Sequence, residues 1–424
     1  MLLITYFFPP AQTVAGARTF SWAKYFHEFG IETTVFTRHW MGNEKTWNDL
    51  TKHHEGAMVY EKCSGFEVYR LPSRKLKILE FADAYFPKSG IVSKLIYLLI
   101  NALGYFNAEA DANASFRKIL FEHLQSNKYD VIIVSSPPLN LIRLASDLKK
   151  RFNIPVHVDF RDLWNNGYLN EEYVPPFNLK WIDHFKRRHI SRWMKQIDSY
   201  STVSAPIANY LNTIFKKNCW VLTNGYDQDL YDFKNRKANE KFTITLMGSY
   251  YAAQQMDYIS NGLTDFLKDK LAEKVKILLV GLNVHIEVLN VVEKVLPGAF
   301  ITIVDRVNTD EAAATAINSD VILHASWKGY KGIYTTKLFD FIASGNNVLL
   351  APGDDDVADA LIKETGAGRI AENEGQVADI LEEWYLEWIS KGVVKYNGRI
   401  EEIKKYGRKN IALQFAELLK HKYG

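Results

Sequence analysis

Short apolar runs alternate with amphipathic stretches along the whole chain, and this pattern restricts the fold more than any other feature. In the N-terminal half the apolar runs predict strands at Leu2–Tyr6, Thr33–Thr37, Phe66–Leu71, Val131–Ser135 and Val156–Phe160. Helical periodicity lies between strands, for example at Arg18–Phe29 and Leu139–Phe152. Strands that alternate with helices in this way are typical of a parallel sheet covered by helices on both faces.

The C-terminal half repeats the pattern. Its predicted strands are Phe242–Met247, Val275–Val280, Phe300–Val304, Val321–His324 and Asn347–Ala351, and its helices are Met256–Lys268, Thr309–Asn318, Thr335–Ser344 and Val357–Glu364. The segment Asn218–Lys241, with a turn at Asn224-Gly225 and the polar run DFKNRKANEK at its end, is the best candidate for a linker. The chain of 424 residues is therefore predicted to form two doubly wound α/β domains, 1–217 and 218–406. Ligands bind such sheets at the carboxyl ends of the strands, so we expect two domains that face each other across a cleft.

Composition and charge exclude several classes of protein. The formal net charge of +3 is lower than a dedicated nucleic-acid binder usually carries. The only cysteines, Cys63 and Cys219, are far apart, which argues against a disulfide framework or a zinc site and fits a reducing compartment. The first residues predict a strand rather than a signal peptide. We expect a cytoplasmic protein. A peripheral position on the inner face of the cell membrane stays open.

Two segments are candidates for contact with a membrane or a lipid-linked acceptor. One is 75–106, whose apolar part is too short for a transmembrane span and contains Lys94 and Asn101. The other is 180–195, which contains six basic residues and only one acidic residue, Asp183. A basic amphipathic helix can lie on an anionic surface. The alternative is a solvated helix that packs on the N-terminal sheet.

The N-terminal half offers three candidate site residues. Gly16 follows the first strand at the start of a helix, where a ligand can approach the backbone and an anion is favoured, although an ordinary turn would look the same. The spacing is not that of a nicotinamide-binding motif. Arg161 and Asp162 directly follow a predicted strand. Asp162 could polarise a hydroxyl group of a substrate; alternatively, an Arg161–carboxylate pair holds the loop.

The segment 329–345 is the most informative of the C-terminal half. A loop with two glycines leads into a helix whose first turn carries Thr335, Thr336 and Lys337. Their N–H groups, hydroxyls and ammonium would converge on one anion, such as a diphosphate. Asp340, one turn later, could accept hydrogen bonds from ribose; alternatively, it forms an ion pair with Lys337 on the helix surface.

Other possible sites carry weaker signals. Gly248 follows a strand and could approach a phosphate, but a glycine there is also ordinary loop chemistry. The acidic run 354–356 resembles a metal-binding cluster, yet it begins a predicted helix, where capping is the expected role. We therefore expect no metal site. The sequence has no recognisable serine or cysteine nucleophile motif.

Several segments, in this order, resemble the family 4 type of glycosyltransferase with the GT-B fold. The resemblance covers about residues 1–225 and 242–372. It rests on the segments YFFPPAQTVAGARTFSWAKYFHEFGIETTVFT, YDVIIVSSPPLNLIRLASDLKKRFNIPVHVDFRDLW, IDSYSTVSAPIANYL, VLTNGYDQDLY and TTKLFDFIASGNNVLLAPGDDDVADALIKETGAGRI. The second of these is similar to a bacterial branch that makes surface polysaccharides.

The resemblance implies two Rossmann-like domains and transfer of a hexosyl group, with retention, from a nucleotide sugar to a glycan or lipid-linked acceptor. UDP- or GDP-sugars are the expected donors, and no cofactor or metal ion is expected. The C-terminal domain would bind the donor and the N-terminal domain the acceptor, with a final helix, 407–424, that packs back on the N-terminal domain. Asp162 and Arg161 would act near the acceptor and the transferred sugar. The implied donor-binding residues are Gly16, Arg18, Gly248, Arg306, Thr335, Thr336, Lys337 and Asp340.

The chain departs from the family pattern at two places. Gly332 stands where the first of two glutamates is usual, and the segment 248–252 lacks the usual Arg/Lys pair. Lys337, Arg306 and Arg18 are then the candidates to meet the phosphate charge. Two other functions stay open: a nucleotide-sugar 2-epimerase of the same fold, and a non-catalytic sugar-nucleotide-binding assembly protein.

Overall fold

The computed structural model describes residues 1–11, 13–42, 52–54, 56–87, 90–106, 111–170, 172–174, 177–231, 238–251 and 254–424. The chain forms two compact units. The N-terminal unit comprises Met1–Thr223 and Ile411–Gly424, and the C-terminal unit comprises Asn224–Asn410.

An eight-stranded sheet is the centre of the N-terminal unit. Its strands are β1 (Leu2–Thr5), β2 (Thr33–Arg38), β3 (Val59–Cys63), β4 (Phe66–Leu71), β5 (Ile132–Ser136), β6 (Val156–Phe160), β7 (Ser199–Thr202) and β8 (Cys219–Val221). Their order is β3-β4-β2-β1-β5-β6-β7-β8, and only β3 and β4 pair in antiparallel fashion. Residues of β1, β5 and β6 are buried throughout, as expected for the central strands of a parallel sheet.

The helices of this unit connect and cover the strands. They are α1 (Val14–Phe26), α2 (Lys77–Tyr85), α3 (Ile91–Ala102), α4 (Ala112–Ser126), α5 (Asn140–Phe152), α6 (Phe177–Met194) and α7 (Ala205–Phe215). In the described residues, no helix of the chain combines the length and the apolarity that crossing a membrane requires.

The C-terminal unit is built on a six-stranded parallel sheet. Its strands are β9 (Phe242–Met247), β10 (Val275–Val280), β11 (Ile301–Val304), β12 (Val321–His324), β13 (Asn347–Leu350) and β14 (Gly368–Ile370). Its helices are α8 (Asp257–Leu267), α9 (Ile286–Val295), α10 (Thr309–Ile317), α11 (Thr336–Ala343), α12 (Val357–Thr365), α13 (Glu374–Lys391) and α14 (Ile400–Lys404). The last helix, α15 (Arg408–Tyr423), begins in this unit, and from Ile411 onward it belongs to the N-terminal unit, where Phe415 packs 4.8 Å from the Trp22 ring.

Both sheets have the doubly wound strand order. The C-terminal sheet reads β11-β10-β9-β12-β13-β14, so the direction of winding reverses between β9 and β12. Alternate residues of β12 join the core on opposite sides of the sheet: Leu323 packs in one apolar cluster and Ile322 in the other. The N-terminal sheet reverses between β1 and β5. The prediction of two doubly wound parallel sheets is confirmed.

Candidate functional site

A glycine lies at the point where the winding of the C-terminal sheet reverses. Gly248 directly follows β9 and has a φ of +101°, a conformation that side chains other than glycine rarely adopt. A Cβ atom at this position would lie 2.5 Å from Cδ of Lys337 and 2.6 Å from its Nζ. The glycine therefore makes room for the lysine at the carboxyl edge of the sheet, where ligands of doubly wound folds bind.

Lys337 lies in the first turn of α11, and its ammonium points back to this edge. Nζ donates to the carbonyl oxygen of Ser249 at 2.6 Å and lies 4.4 Å from the centre of the Tyr250 ring. Burial lowers its pKa from 10.5 to about 8. An ammonium has three N–H donors, so Lys337 can keep Ser249 and still bind an anion.

A buried hydrogen-bonded chain holds the start of α11. Oγ1 of Thr335, the residue before the helix, lies 2.6 Å from Nε2 of His324, and Nδ1 of His324 lies 3.2 Å from the Tyr250 hydroxyl. Burial, and then the charge of Lys337, keep the pKa of His324 well below its ordinary value, so the ring is neutral. A neutral imidazole has one nitrogen that donates and one that accepts, so His324 can bridge Tyr250 and Thr335 and hold the Thr335 hydroxyl in place.

Sequence reasoning assigned no role to His324 or Tyr250. One signal was present for His324, which ends a predicted strand at the edge where the other candidates lie. Tyr250 carried no comparable signal, because its contact with Lys337 exists only in the folded chain.

Arg306 follows β11 at the same edge of the sheet. Its side chain is exposed. A Cβ atom on Gly281, which follows β10, would lie 3.6 Å from Cα of Arg306 and 3.8 Å from Cα of Gly248. The structure thus brings Gly248, Arg306, Thr335, Thr336 and Lys337 to one edge, with Thr336 as the first residue of α11.

Asp340 has other partners than Lys337. It forms a hydrogen bond with the Tyr231 side chain and interacts electrostatically with Arg408. Burial raises the pKa of Asp340 to about 6, against the opposing effects of Arg408 and Tyr231. The alternative of a Lys337–Asp340 ion pair is not what the structure shows, and the ribose contact of Asp340 stays a prediction.

Replacing Gly248 with alanine is expected to weaken binding of a diphosphate-containing ligand at this edge roughly tenfold or more, because the new methyl group would displace the Lys337 ammonium. The positive φ should also reduce the free energy of unfolding by about 1–2 kcal/mol. Gly392→Ala is the matched control, since Gly392 has a φ of +73° and a Cβ there would meet no atom within 4 Å. Calorimetric titration and urea unfolding of both variants measure the two effects. Equal binding by the two variants would contradict the role given to Gly248.

The N-terminal unit has its own group of candidates at the carboxyl edge. Arg161 follows β6, is buried, and donates from Nη2 to the Pro137 carbonyl at 2.5 Å; its guanidinium lies 5.5 Å from the centre of the Phe7 ring. It therefore joins the loops after β1, β5 and β6. The alternative of an Arg161–carboxylate ion pair does not occur among the described residues, where Arg161 holds the loop through a backbone carbonyl.

Asp162 is exposed beside the buried Arg161. The protein packed around this loop reduces the solvation of the carboxylate and raises its pKa, and the Arg161 charge opposes that shift. An accessible carboxylate of raised basicity at the sheet edge suits contact with a hydroxyl group.

Gly16 and Arg18 lie in the first turns of α1 with different surroundings. The Gly16 N–H donates to Oγ1 of Thr13 at 3.2 Å, and a Cβ at Gly16 would lie 3.3 Å from Cα of Phe8. Arg18 is buried. It donates to both carboxylate oxygens of Asp159, at 2.9 and 3.1 Å, and to the Thr223 carbonyl at 2.8 Å. These contacts give Arg18 a structural role, and its phosphate contact stays a prediction.

The acidic run 354–356 caps a helix, as expected. The Asp354 carboxylate accepts from the backbone N–H groups of Asp356, Ala358 and Asp359 at 2.9–3.1 Å, at the start of α12. Carboxylate oxygens of Asp355, Asp359 and Glu372 lie within 4.8 Å of one another, a spacing that suits a cation. Such acidic groups are common on surfaces without an ion, so we assign no metal centre to them.

No protein-family model and no curated protein matches the sequence. The fold, by contrast, is similar to solved structures over nearly the whole chain. The sucrose-phosphate synthase of Thermosynechococcus elongatus has a TM-score of 0.62 and 15% identity, and the match covers 99% of this chain and 98% of that chain. The UDP-forming α,α-trehalose-phosphate synthase of Burkholderia xenovorans, solved with glucose-6-phosphate, has a TM-score of 0.63 and 10% identity over 100% and 99%.

The Anabaena protein HepE, solved with UDP and glucose, is a third similar structure. Its TM-score is 0.61 and its identity 12%, over 99% of this chain and 100% of that chain. Identities this low establish the fold alone. The predicted GT-B fold is thereby confirmed.

Proposed function

We propose that the protein is a glycosyltransferase that moves a hexosyl group, with retention and without a metal ion, from a nucleotide sugar to a glycan or lipid-linked acceptor. We further propose that it builds a bacterial surface polysaccharide from the cytoplasmic side. The observation that carries the proposal is the Lys337 ammonium, held beside Gly248 at the start of α11. Support comes also from the likeness in fold to UDP-forming and UDP-bound proteins.

The edge residues of the C-terminal unit suit a departing diphosphate. When the bond between the anomeric carbon and the phosphate oxygen breaks, negative charge develops on that oxygen. Lys337, N–H groups at the start of α11 and the hydroxyls of Thr335 and Thr336 can offset it. Asp340 would bind the ribose, and Asp162 in the N-terminal unit would polarise the acceptor hydroxyl.

A non-catalytic sugar-nucleotide-binding protein is the second candidate. The observation that favours it is Gly332, which stands where the family usually has a glutamate and whose N–H donates to the Asp356 carboxylate. A carboxylate is thus present near this position, but it already has a partner.

A screen of UDP-, GDP-, ADP- and dTDP-sugars tests the proposal. A bound donor stabilises the folded chain by mass action, about 2.7 kcal/mol at a concentration of 100 Kd, which raises the melting temperature. The selected donor is then incubated with lipid-linked and oligosaccharide acceptors, and NMR reports the anomeric configuration of the product. Absence of binding to every donor would overturn the proposal, and tight binding without transfer would favour the non-catalytic candidate.

Donor affinity should depend on pH through Lys337. The ammonium is already half neutral near pH 8 in the free protein, whereas a bound diphosphate favours the charged form. The dissociation constant should therefore be flat below about pH 7 and rise by up to about tenfold per pH unit above 8. Titration calorimetry between pH 6.5 and 9.5 measures it, with Lys337→Met as the control for ionisation of the nucleotide itself. An identical slope in the variant would exclude Lys337 as the titrating group.

A further inference from the structure

Helices α2 and α3 expose an unusual number of large apolar side chains. We call the two helices the apolar helix pair. Nine side chains on or directly after it are 40–76% exposed: Ile78, Phe81, Tyr85, Ile91, Val92, Leu95, Leu98, Leu99 and Leu103. The outward side of a surface helix is normally polar, and a contiguous apolar patch on a protein surface marks an interaction site.

Helix α3 has two apolar sides, one exposed and one packed. Its exposed residues Ile91, Leu95, Leu98 and Leu99 recur at helical spacing on one side. The opposite side is packed: Ile100 of α3 and Leu79 of α2 form a small core with Leu76, Ile96, Tyr97 and Tyr105. The pair therefore has an inner apolar side that is packed and an outer apolar side that is exposed.

Helix α6 places positive charge next to the pair. Nε2 of His189 lies 2.8 Å from the carbonyl oxygen of Ala102, at the end of α3. The ring centres of Trp193 and Phe106 are 5.8 Å apart. The apolar residues Ile190 and Trp193 of α6 are buried, so this helix packs on the unit, as one of the two sequence-based alternatives predicted. Its basic residues Lys180, Arg187, Arg188 and Arg192, with Lys195 just beyond, are exposed.

We infer that the apolar helix pair inserts its outer face into the surface of an anionic lipid bilayer, with the cations of α6 against the headgroups. The sequence-based expectation treated 75–106 and 180–195 as equivalent candidates, and the structure separates them. The pair supplies most of the apolar contact, and α6 supplies positive charge together with one large exposed apolar side chain, Trp181. Charge complementarity selects this occupant, since Lys77 and Lys94 of the pair are exposed as well, against one exposed carboxylate on the pair, that of Glu80. The inference does not depend on the proposed transfer reaction.

Vesicle sedimentation of the full chain tests the inference. We expect binding to vesicles that contain phosphatidylglycerol and weaker binding to phosphatidylcholine alone. Leu95→Asp with Leu99→Asp should lower the partition coefficient roughly tenfold or more on both vesicles. The matched control is Leu386→Asp with Ile389→Asp on α13, which are equally exposed at 56% and 52%. Arg187→Gln with Arg188→Gln should remove most of the preference for phosphatidylglycerol.

Three results would overturn the inference. The first is the absence of binding to phosphatidylglycerol vesicles by a chain whose circular dichroism melt shows it folded. The second is a dimer in sedimentation velocity that dissociates in the Leu95→Asp, Leu99→Asp variant, which would assign the apolar face to a second copy of the chain. The third is an equal loss of vesicle binding in the α13 control.

Discussion

Replacing Lys337 with methionine is expected to lower kcat for glycosyl transfer by about 10²–10³-fold. Nζ of this residue is held 2.6 Å from the Ser249 carbonyl, over the Tyr250 ring, and is thereby positioned before any ligand arrives. A charge that is positioned in advance stabilises the departing diphosphate more than the bound ground state. The loss should therefore appear in kcat as well as in KM, measured by steady-state kinetics with the selected donor.

The same change should leave the fold intact. Burial lowers the folded-state pKa of Lys337 to about 8, so the unfolded chain binds more protons between about pH 8 and 10.5. Without a ligand, the contribution of this group to stability accordingly rises with pH over that range, and below pH 8 the charged group is a cost. Methionine removes that cost, so the free energy of unfolding at pH 7 should be unchanged or higher.

A surface lysine provides the control for this experiment. Lys268 pairs with Asp265 on the exposed end of α8, and Lys268→Met should change neither kcat nor stability by a measurable amount. Full transfer activity in the Lys337→Met variant would show that the phosphate charge is met elsewhere.

Five strands have the bounds that the sequence predicts: Phe66–Leu71, Val156–Phe160, Phe242–Met247, Val275–Val280 and Val321–His324. Each is a short segment rich in β-branched, aromatic and other apolar residues, which is the local signal of a strand. The edge strand β3 has exposed residues and no apolar run, and β8 and β14 have three residues each. Patterns that depend on burial cannot detect such strands.

The helix start at Thr335–Lys337 was also predictable, because an anion-binding turn is a local feature. The partners of its side chains were not. Lys337 forms a hydrogen bond with Ser249, and Thr335 forms one with His324, only because the order of the strands in the sheet brings these residues together. The outer face of α3 shows the opposite difficulty: an apolar helix face predicts burial, and periodicity alone does not say which of two apolar sides packs inward.

Arg18 illustrates the same limit, since its partner is 141 residues away in the chain. The resemblance to glycosyltransferases assigns it to the donor phosphate, whereas the structure buries it against Asp159. Both side chains are almost inaccessible, at 5% and 0% exposed, and Asp159 also accepts from the Ser201 hydroxyl at 2.8 Å. The buried hydrogen bonds of Arg18 to Asp159 hold α1 to the sheet.

Arg18→Met is accordingly expected to reduce the free energy of unfolding by about 3–5 kcal/mol, because it leaves the Asp159 carboxylate buried without its counter-charge. Burial acts to raise the pKa of Asp159, yet Arg18 holds it below its ordinary value. The pair therefore stabilises the fold above about pH 4 and its contribution is lost as the pH falls through the folded-state pKa. The stability difference between wild type and variant should narrow in acid, as urea unfolding at pH 7 and well below pH 4 would show.

Two further variants decide between the structural and the phosphate-binding roles of Arg18. Adding Asp159→Asn to Arg18→Met removes the unpaired charge and should restore much of the lost stability, whereas Arg369→Met, in the exposed pair with Glu383, should cost less than about 1 kcal/mol. If Arg18 is structural, the double variant, once folded, should keep a donor dissociation constant close to that of the wild type. If Arg18 binds the donor phosphate, the double variant should fold and still bind the nucleotide sugar at least about tenfold more weakly.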